Sequence, residues 1–204
     1  MNAVPEPAVP TPEVADPIAG LDDSGAPLSP ETVAIQAGRA RNGAALAPTI
    51  VPTSTFVTPT VADGRRMATS TTADVFYSRY GNPTVSDFAD AVAELEGAEA
   101  ARAFSSGMGA ITAVVLGLCS TGDHIVTQRQ LYGGTQLLFQ GMCPRLGIDV
   151  SFVDGTDPDE WEAAVRPGTT MLLFAETPAN PRLDLVDLDH LGQIPGPMKV
   201  VDPP

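Results

Sequence analysis

Lysine is nearly missing from this sequence: ten of its eleven basic residues are arginine, and Lys199 is the only lysine. Chemistry that needs a side-chain primary amine must therefore use Lys199 or do without. Cations as a whole are scarce, 11 against 25 acidic residues, for a formal net charge of −14. Eleven scattered cations form no dense basic patch, which argues against nucleic acid and equally against an anionic membrane surface. Long apolar runs are absent too. The longest, Ala110 to Cys119 with Thr112 and Gly117 tolerated, is too short to span a bilayer. No cation precedes Arg39, so the start lacks the basic character of a secretory or transit peptide, and a soluble cytoplasmic protein is expected. The two cysteines, Cys119 and Cys143, sit in apolar helical context at no metal or disulfide spacing and read as buried small hydrophobes. The two histidines, His124 and His190, have no second ligand at metal spacing and read as structural or surface residues.

What is present is enough for a core. Hydrophobic residues make up 43% of 204, which excludes a wholly disordered chain, and the length suits one large domain or one and a half. Residues 1–30 hold seven prolines, several acids and few large apolar residues, so they read as a disordered acidic tail. From 31 to 80 the chain is rich in Thr, Ser and Pro with no long helical period, and reads as an extended arm that packs on something else. Asn82-Pro83-Thr84 then opens a helix with Phe88, Val92 and Leu95 on one face, and Gly97 ends it.

Beyond this point strands and helices alternate. Ala100–Phe104, His124–Thr127, Ile148–Val153, Thr170–Ala175 and Met198–Val201 read as strands. Ala110–Leu118, Thr135–Leu146, Pro158–Val165 and Asp187–Ile194 read as helices, with Trp161 covering the sheet. The alternation predicts an α/β fold, a mostly parallel sheet with helices on both faces. Residues 81–204 would form this incomplete large domain.

In such a sheet ligands bind beyond the carboxyl ends of the strands. Three turns and one strand end fall there. Ser105-Ser106-Gly107-Met108-Gly109 is either a tight structural turn or a phosphate cradle at a helix N-terminus. In Leu131-Tyr132-Gly133-Gly134-Thr135 the tyrosine is either core or a platform for a flat ligand. In Glu176-Thr177-Pro178-Ala179-Asn180-Pro181 a carboxylate and an amide follow an apolar strand, and Asn180 could simply satisfy the turn. Asp202 closes the last strand. A dinucleotide-binding fingerprint is excluded because Thr112 stands where its third glycine is required.

Taken together, these motifs resemble the Cys/Met metabolism family of pyridoxal-phosphate enzymes, the cystathionine gamma-synthase-like trans-sulfuration group. The likeness begins at Thr32-Val33-Ala34-Ile35-Gln36-Ala37-Gly38. It runs through Pro52-Thr53-Ser54-Thr55-Phe56, Tyr77-Ser78-Arg79-Tyr80-Gly81-Asn82-Pro83-Thr84, Leu95-Glu96-Gly97, Ser105-Ser106-Gly107-Met108, Gly122-Asp123, Tyr132-Gly133-Gly134-Thr135 and the Glu176–Pro181 string. The resemblance implies the large domain of a fold type I pyridoxal-phosphate transferase. Gly107 and Met108 would offer backbone N–H groups to the cofactor phosphate, and Tyr132 would stack on its ring and serve catalysis. Asn180 would bond the phenolic oxygen, and Asp202 would pair with the ring nitrogen. Tyr77 and Arg79 would reach the phosphate of a neighbouring subunit, making a homo-oligomer through the arm.

Members of that family hold the cofactor through a lysine well after the strand-end aspartate. Lys199 precedes Asp202 by three positions on a strand, so the two should point to opposite faces. Hence the chain is expected to be the N-terminal, truncated part of such an enzyme, without covalent cofactor attachment and inactive alone. The resemblance implies γ-replacement or γ-elimination on an activated homoserine or a sulfur amino acid. Elimination from cystathionine or methionine is the other specificity it allows. Gly134 stands where methionine-cleaving members carry Cys, which weighs against methionine. A non-catalytic binding or regulatory module that kept the cofactor-side surface is the alternative.

Overall fold

Asn82, Pro83 and Thr84 show how local chemistry sets an element. The Asn82 side chain accepts the Thr84 N–H and Pro83 occupies the first helical position, where a missing donor costs nothing. The helix they start, α3 (Pro83–Leu95), ends at Gly97, which adopts a φ of 60°. In this computed structural model the described residues are 25–26, 28–37, 39, 42, 45–70 and 73–203, so the expected tail over 1–30 lies almost wholly outside them.

The described residues fall into two units, one ending at Ala103 and the other starting at Phe104. The first contains α1 (Pro30–Gln36), capped by Ser29, and α2 (Val61–Ala68), capped by Thr60, besides α3. Thus the expected arm is not extended throughout, and short capped helices interrupt it. The α1 helix packs on α3, so α3 groups with the residues before it and the boundary falls later than residue 80. The stripe Phe88, Val92, Leu95 gives α3 its helical period, yet Phe88 and Leu95 stay exposed and Ala89 and Asp87 are buried instead.

The second unit is a four-stranded parallel sheet of β1 (His124–Gln128), β2 (Asp149–Val153), β3 (Thr170–Glu176) and β4 (Met198–Asp202) in the order β2-β1-β3-β4. Alternating residues serve two cores. Ile125, Leu172 and Phe174 pack under α4 (Gly107–Leu118) and under the continuous helical run of α5 (Gly133–Leu137), a π-helical turn (Leu138–Met142) and α6 (Cys143–Arg145). Phe139 meets Phe174 edge to face at 5.1 Å, a geometry that adds about 1 kcal/mol to simple burial. On the other face Val126, Leu173 and Ala175 pack against α7 (Pro158–Ala164) and α8 (Leu188–Gln193), with Trp161 fully buried. Helices on both faces of a parallel sheet are the architecture the alternation predicts.

One strand is corrected. Residues 101–104 form no strand. The sequence is compatible with extension, but strand stability comes from cross-strand partners, and here Arg102 and Phe104 remain exposed without a ladder. Both cysteines are buried, as read from the sequence, and of the structural and surface roles open to His124 the structure shows a buried one. The His124 ring is satisfied at both nitrogens, by Thr170 Oγ1 at 2.8 Å and Ser151 Oγ at 2.9 Å. No helix among the described residues is long and apolar enough to cross a membrane.

Candidate functional site

The strand order reverses direction between β1 and β3. From β1 the chain moves outward to β2, and from β3 it moves outward the other way to β4. The loops leaving β1 and β3 therefore diverge and leave a crevice beyond their carboxyl ends, which is where open α/β sheets bind ligands. A cleft of about 640 Å³ occupies that place. It brings together Gly107, Met108, Tyr132, Asn180 and Asp202, five of the seven residues singled out in the sequence. Ser106, Ile111 and Glu176 line it as well.

Each wall follows from local structure. Ser106 caps α4: its hydroxyl accepts the Gly109 N–H at 3.1 Å and its carbonyl accepts the Ala110 N–H. The N–H groups of Gly107 and Met108 are left without an acceptor among the described residues, at the positive end of a twelve-residue helix. Such free donors could hold an anion. Tyr132 stands at the start of α5, half exposed. Gly134 makes room for its ring: a Cβ there would lie 2.6 Å from Tyr132 Cε1 and 3.1 Å from Met108 Sδ. The Asn180 side chain is exposed and unbonded among the described residues, while its backbone N–H donates to Glu176 Oε1 at 2.7 Å.

Glu176 and Asp202 are register partners at the ends of β3 and β4. Burial, and then the neighbouring Glu176 charge, hold the Asp202 carboxyl above the usual carboxylate range. Such a carboxylate gains from a cationic or N–H-donating ligand. Lys199 lies on the opposite side of β4. It pairs in register with Leu173, on the α7–α8 face, and its Nζ donates to the Ile194 carbonyl. Lys199 is not among the residues lining the cleft.

Tyr77 and Arg79 belong to the first unit. An isolated bridge joins Thr55 to Tyr77, and Ser78 bonds back to Ser54 and Thr53. The Arg79 guanidinium lies over the Tyr77 ring at 4.8 Å and over Tyr80 at 5.4 Å.

Free N–H groups at a helix end, a tyrosine ring, an amide and a strand-end carboxylate, all at the switch point of a parallel sheet, could hold a phosphorylated aromatic ring carrying a protonated nitrogen. The set is compatible with pyridoxal phosphate: Gly107 and Met108 would take its phosphate, Tyr132 its ring, Asn180 its phenolic oxygen and Asp202 its pyridine nitrogen. The family described as Cys/Met metabolism PLP-dependent enzyme matches residues 31–201, and the chain belongs to that family. Among its relatives is an O-succinylhomoserine sulfhydrylase of Pseudomonas aeruginosa, 42% identical over 169 residues, covering 80% of this chain and 41% of the relative. Another is an L-methionine gamma-lyase of Fusobacterium nucleatum subsp. polymorphum, 40% identical over 176 residues, covering 84% and 44%. The crystal structure of metB from Corynebacterium glutamicum superposes with a TM-score of 0.76 at 30% identity, covering 86% of this chain and 45% of that one. The chain thus spans less than half the length of these relatives.

Glu176, which lines the cleft, and Gln128, which bonds to its backbone, have no role assigned from the sequence. The signal for Glu176 was its place, a carboxylate directly after an apolar strand in the turn that also carries Asn180. Gln128 gave none, because nothing local distinguishes it from any polar strand end.

Proposed function

We propose that this chain forms the phosphate and ring half of a pyridoxal-phosphate enzyme acting at the γ-carbon of sulfur amino acids or activated homoserine, by replacement or elimination. The observation that carries this reading is the convergence of Met108, Tyr132, Asn180 and Asp202 on one cleft. When bound, pyridoxal phosphate supplies an electron sink. The residues of the chain bind and tune it. Gly107 and Met108 donate to the phosphate, where the α4 dipole adds to the attraction. Tyr132 would stack on the ring, shield it from water and serve catalysis. Asp202, ionised, accepts the pyridine N–H and keeps the ring nitrogen protonated. Asn180 donates to the phenolic oxygen. Tyr77 and Arg79 of a second copy complete the phosphate end, the guanidinium supplying a bidentate fork. The soluble, cytoplasmic setting expected from the sequence goes with this reading.

Sulfhydrylase relatives support replacement on an acylated homoserine, and Gly134 weighs toward it over methionine cleavage. The binding-module alternative and the enzyme reading both leave Lys199 outside the cleft, where it engages the Ile194 carbonyl on the far side of β4. On either reading Lys199 carries no cofactor. Incubation with pyridoxal phosphate should give saturable binding that Asp202→Ala weakens, and borohydride treatment followed by mass spectrometry should leave Lys199 unmodified. Absence of binding, or a pyridoxyl adduct on Lys199, refutes the assignment.

A further inference from the structure

The β1–β3 ladder registers as far as Thr127 opposite Phe174. One residue further on, a side chain takes over. Gln128, 1% exposed, donates from Nε2 to the Glu176 carbonyl at 2.7 Å and accepts the Glu176 N–H on Oε1 at 3.1 Å. Its amide is in effect one more rung, closing the fork where the two strands part. Gly155 leaves space for it: a Cβ there would approach Gln128 Cβ at 3.0 Å.

The rung fixes the backbone of Glu176, whose carboxylate, on a residue 5% exposed, then reaches two loops at once. Oε2 accepts the Tyr132 N–H at 2.8 Å and Oε1 accepts the Asn180 N–H at 2.7 Å. Among the described residues no cation pairs with it. A buried carboxylate without a counter-ion is costly unless its oxygens are fully used. Here both are used by backbone donors from the two loops that present the ring platform and the amide.

We propose that Glu176, seated by Gln128, is a positioning residue: it ties the Tyr132 and Asn180 loops to a single carboxylate and so sets the gap in which the cofactor ring fits. The proposal rests on the cofactor reading above. Tyr132 follows β1 and Asn180 follows β3, so nothing local to either loop fixes their separation. Only a group bonded to both can do so, and the loops diverge from a fork that the Gln128 amide holds shut.

The test uses the full chain, with pyridoxal phosphate as the probe and amide hydrogen exchange as a readout independent of it. In Glu176→Gln the carboxamide can accept one N–H while its NH2 opposes the other. Tyr132 and Asn180 amides should then exchange at least about tenfold faster, with Ile125 and Phe174 amides unchanged, and pyridoxal-phosphate affinity should fall by about tenfold. Gln128→Met, of similar size but without the amide, should free the Glu176, Tyr132 and Asn180 amides in the same order of effect; it carries the test should Glu176→Gln not fold. Unchanged exchange at Tyr132 and Asn180, a uniform acceleration of all amides, or unchanged affinity overturns the positioning role. If the unaltered chain protects both amides yet does not bind pyridoxal phosphate, the cofactor reading falls and takes the role with it. That failure is distinguishable because the clamp itself is still seen.

Discussion

At the scale of single residues, Asp202 shows a conflict between stability and binding. Its carboxyl is held above the ordinary range by burial and by Glu176. A group whose folded value is raised contributes its stability at pH below the unfolded value, near 4, and loses it as pH rises through the folded value. At neutral pH its charge therefore works against the folded chain. Asp202→Asn should raise the melting temperature of the cofactor-free protein at pH 7, lose that advantage near pH 3, and weaken pyridoxal-phosphate binding. Calorimetry with and without the cofactor checks all three. Gly134 presents a simpler steric case. Gly134→Ala puts a methyl group into the Tyr132 ring and should cost roughly tenfold in pyridoxal-phosphate affinity. Gly133→Ala is the control, since a Cβ there meets nothing within 4 Å. Equal affinities for the two variants would remove Gly134 from the account of the ring.

At the scale of elements, the arm depends on one side chain. Asn82 Nδ2 donates to Val51 O at 3.0 Å and Thr53 O at 3.3 Å, while its Oδ1 caps α3 through Thr84. Thr84 Oγ1 in turn accepts the Val51 N–H at 2.9 Å. Asn82→Ala removes the cap and takes the amide donor from the Val51 carbonyl, while the Thr53 carbonyl keeps the Ser78 hydroxyl, at a cost of about 2 kcal/mol. Limited proteolysis should then open the chain between residues 49 and 57 while β1–β4 stay protected. Cutting no faster there would mean the arm is held by other contacts. The sequence motif that contains Asn82 was legible as a helix start. Its second task, fastening a segment some thirty residues away, was not, because sequence spacing does not reveal which carbonyls lie opposite an amide. The strand expected over 100–104 failed for a related reason: extension is a local preference, but a strand needs a partner, and partners are non-local.

At the scale of the whole molecule, acid should act through His124. Burial, with a smaller contribution from Arg166, lowers its proton affinity, and the Asp149 charge only partly offsets this. A depressed folded value contributes stability above the unfolded value of about 6.5 and loses it as pH falls. His124 ties β1 to Thr170 and Ser151 on both neighbouring strands, so protonation strains the centre of the sheet. The melting temperature should fall between pH 6.5 and 5, and His124→Asn should flatten that part of the curve. A slope unchanged by the substitution would assign the acid sensitivity to the carboxylates.

Sequence alone determined what is local. Caps, turn glycines and the alternation of apolar runs fixed the kinds and approximate bounds of α3 and of the elements after residue 105, and the ordered motifs named the family and its cofactor. Tertiary structure decided what depends on strand order. The arrangement β2-β1-β3-β4 makes the loops after β1 and β3 diverge around one cleft. It sets Glu176 beside Asp202 at the ends of β3 and β4, and it brings Gln128 to Glu176 across forty-eight residues. Those juxtapositions follow from the folding of distant segments onto one sheet, where a hydrogen bond is formed by neighbours in space and sequence distance leaves no trace.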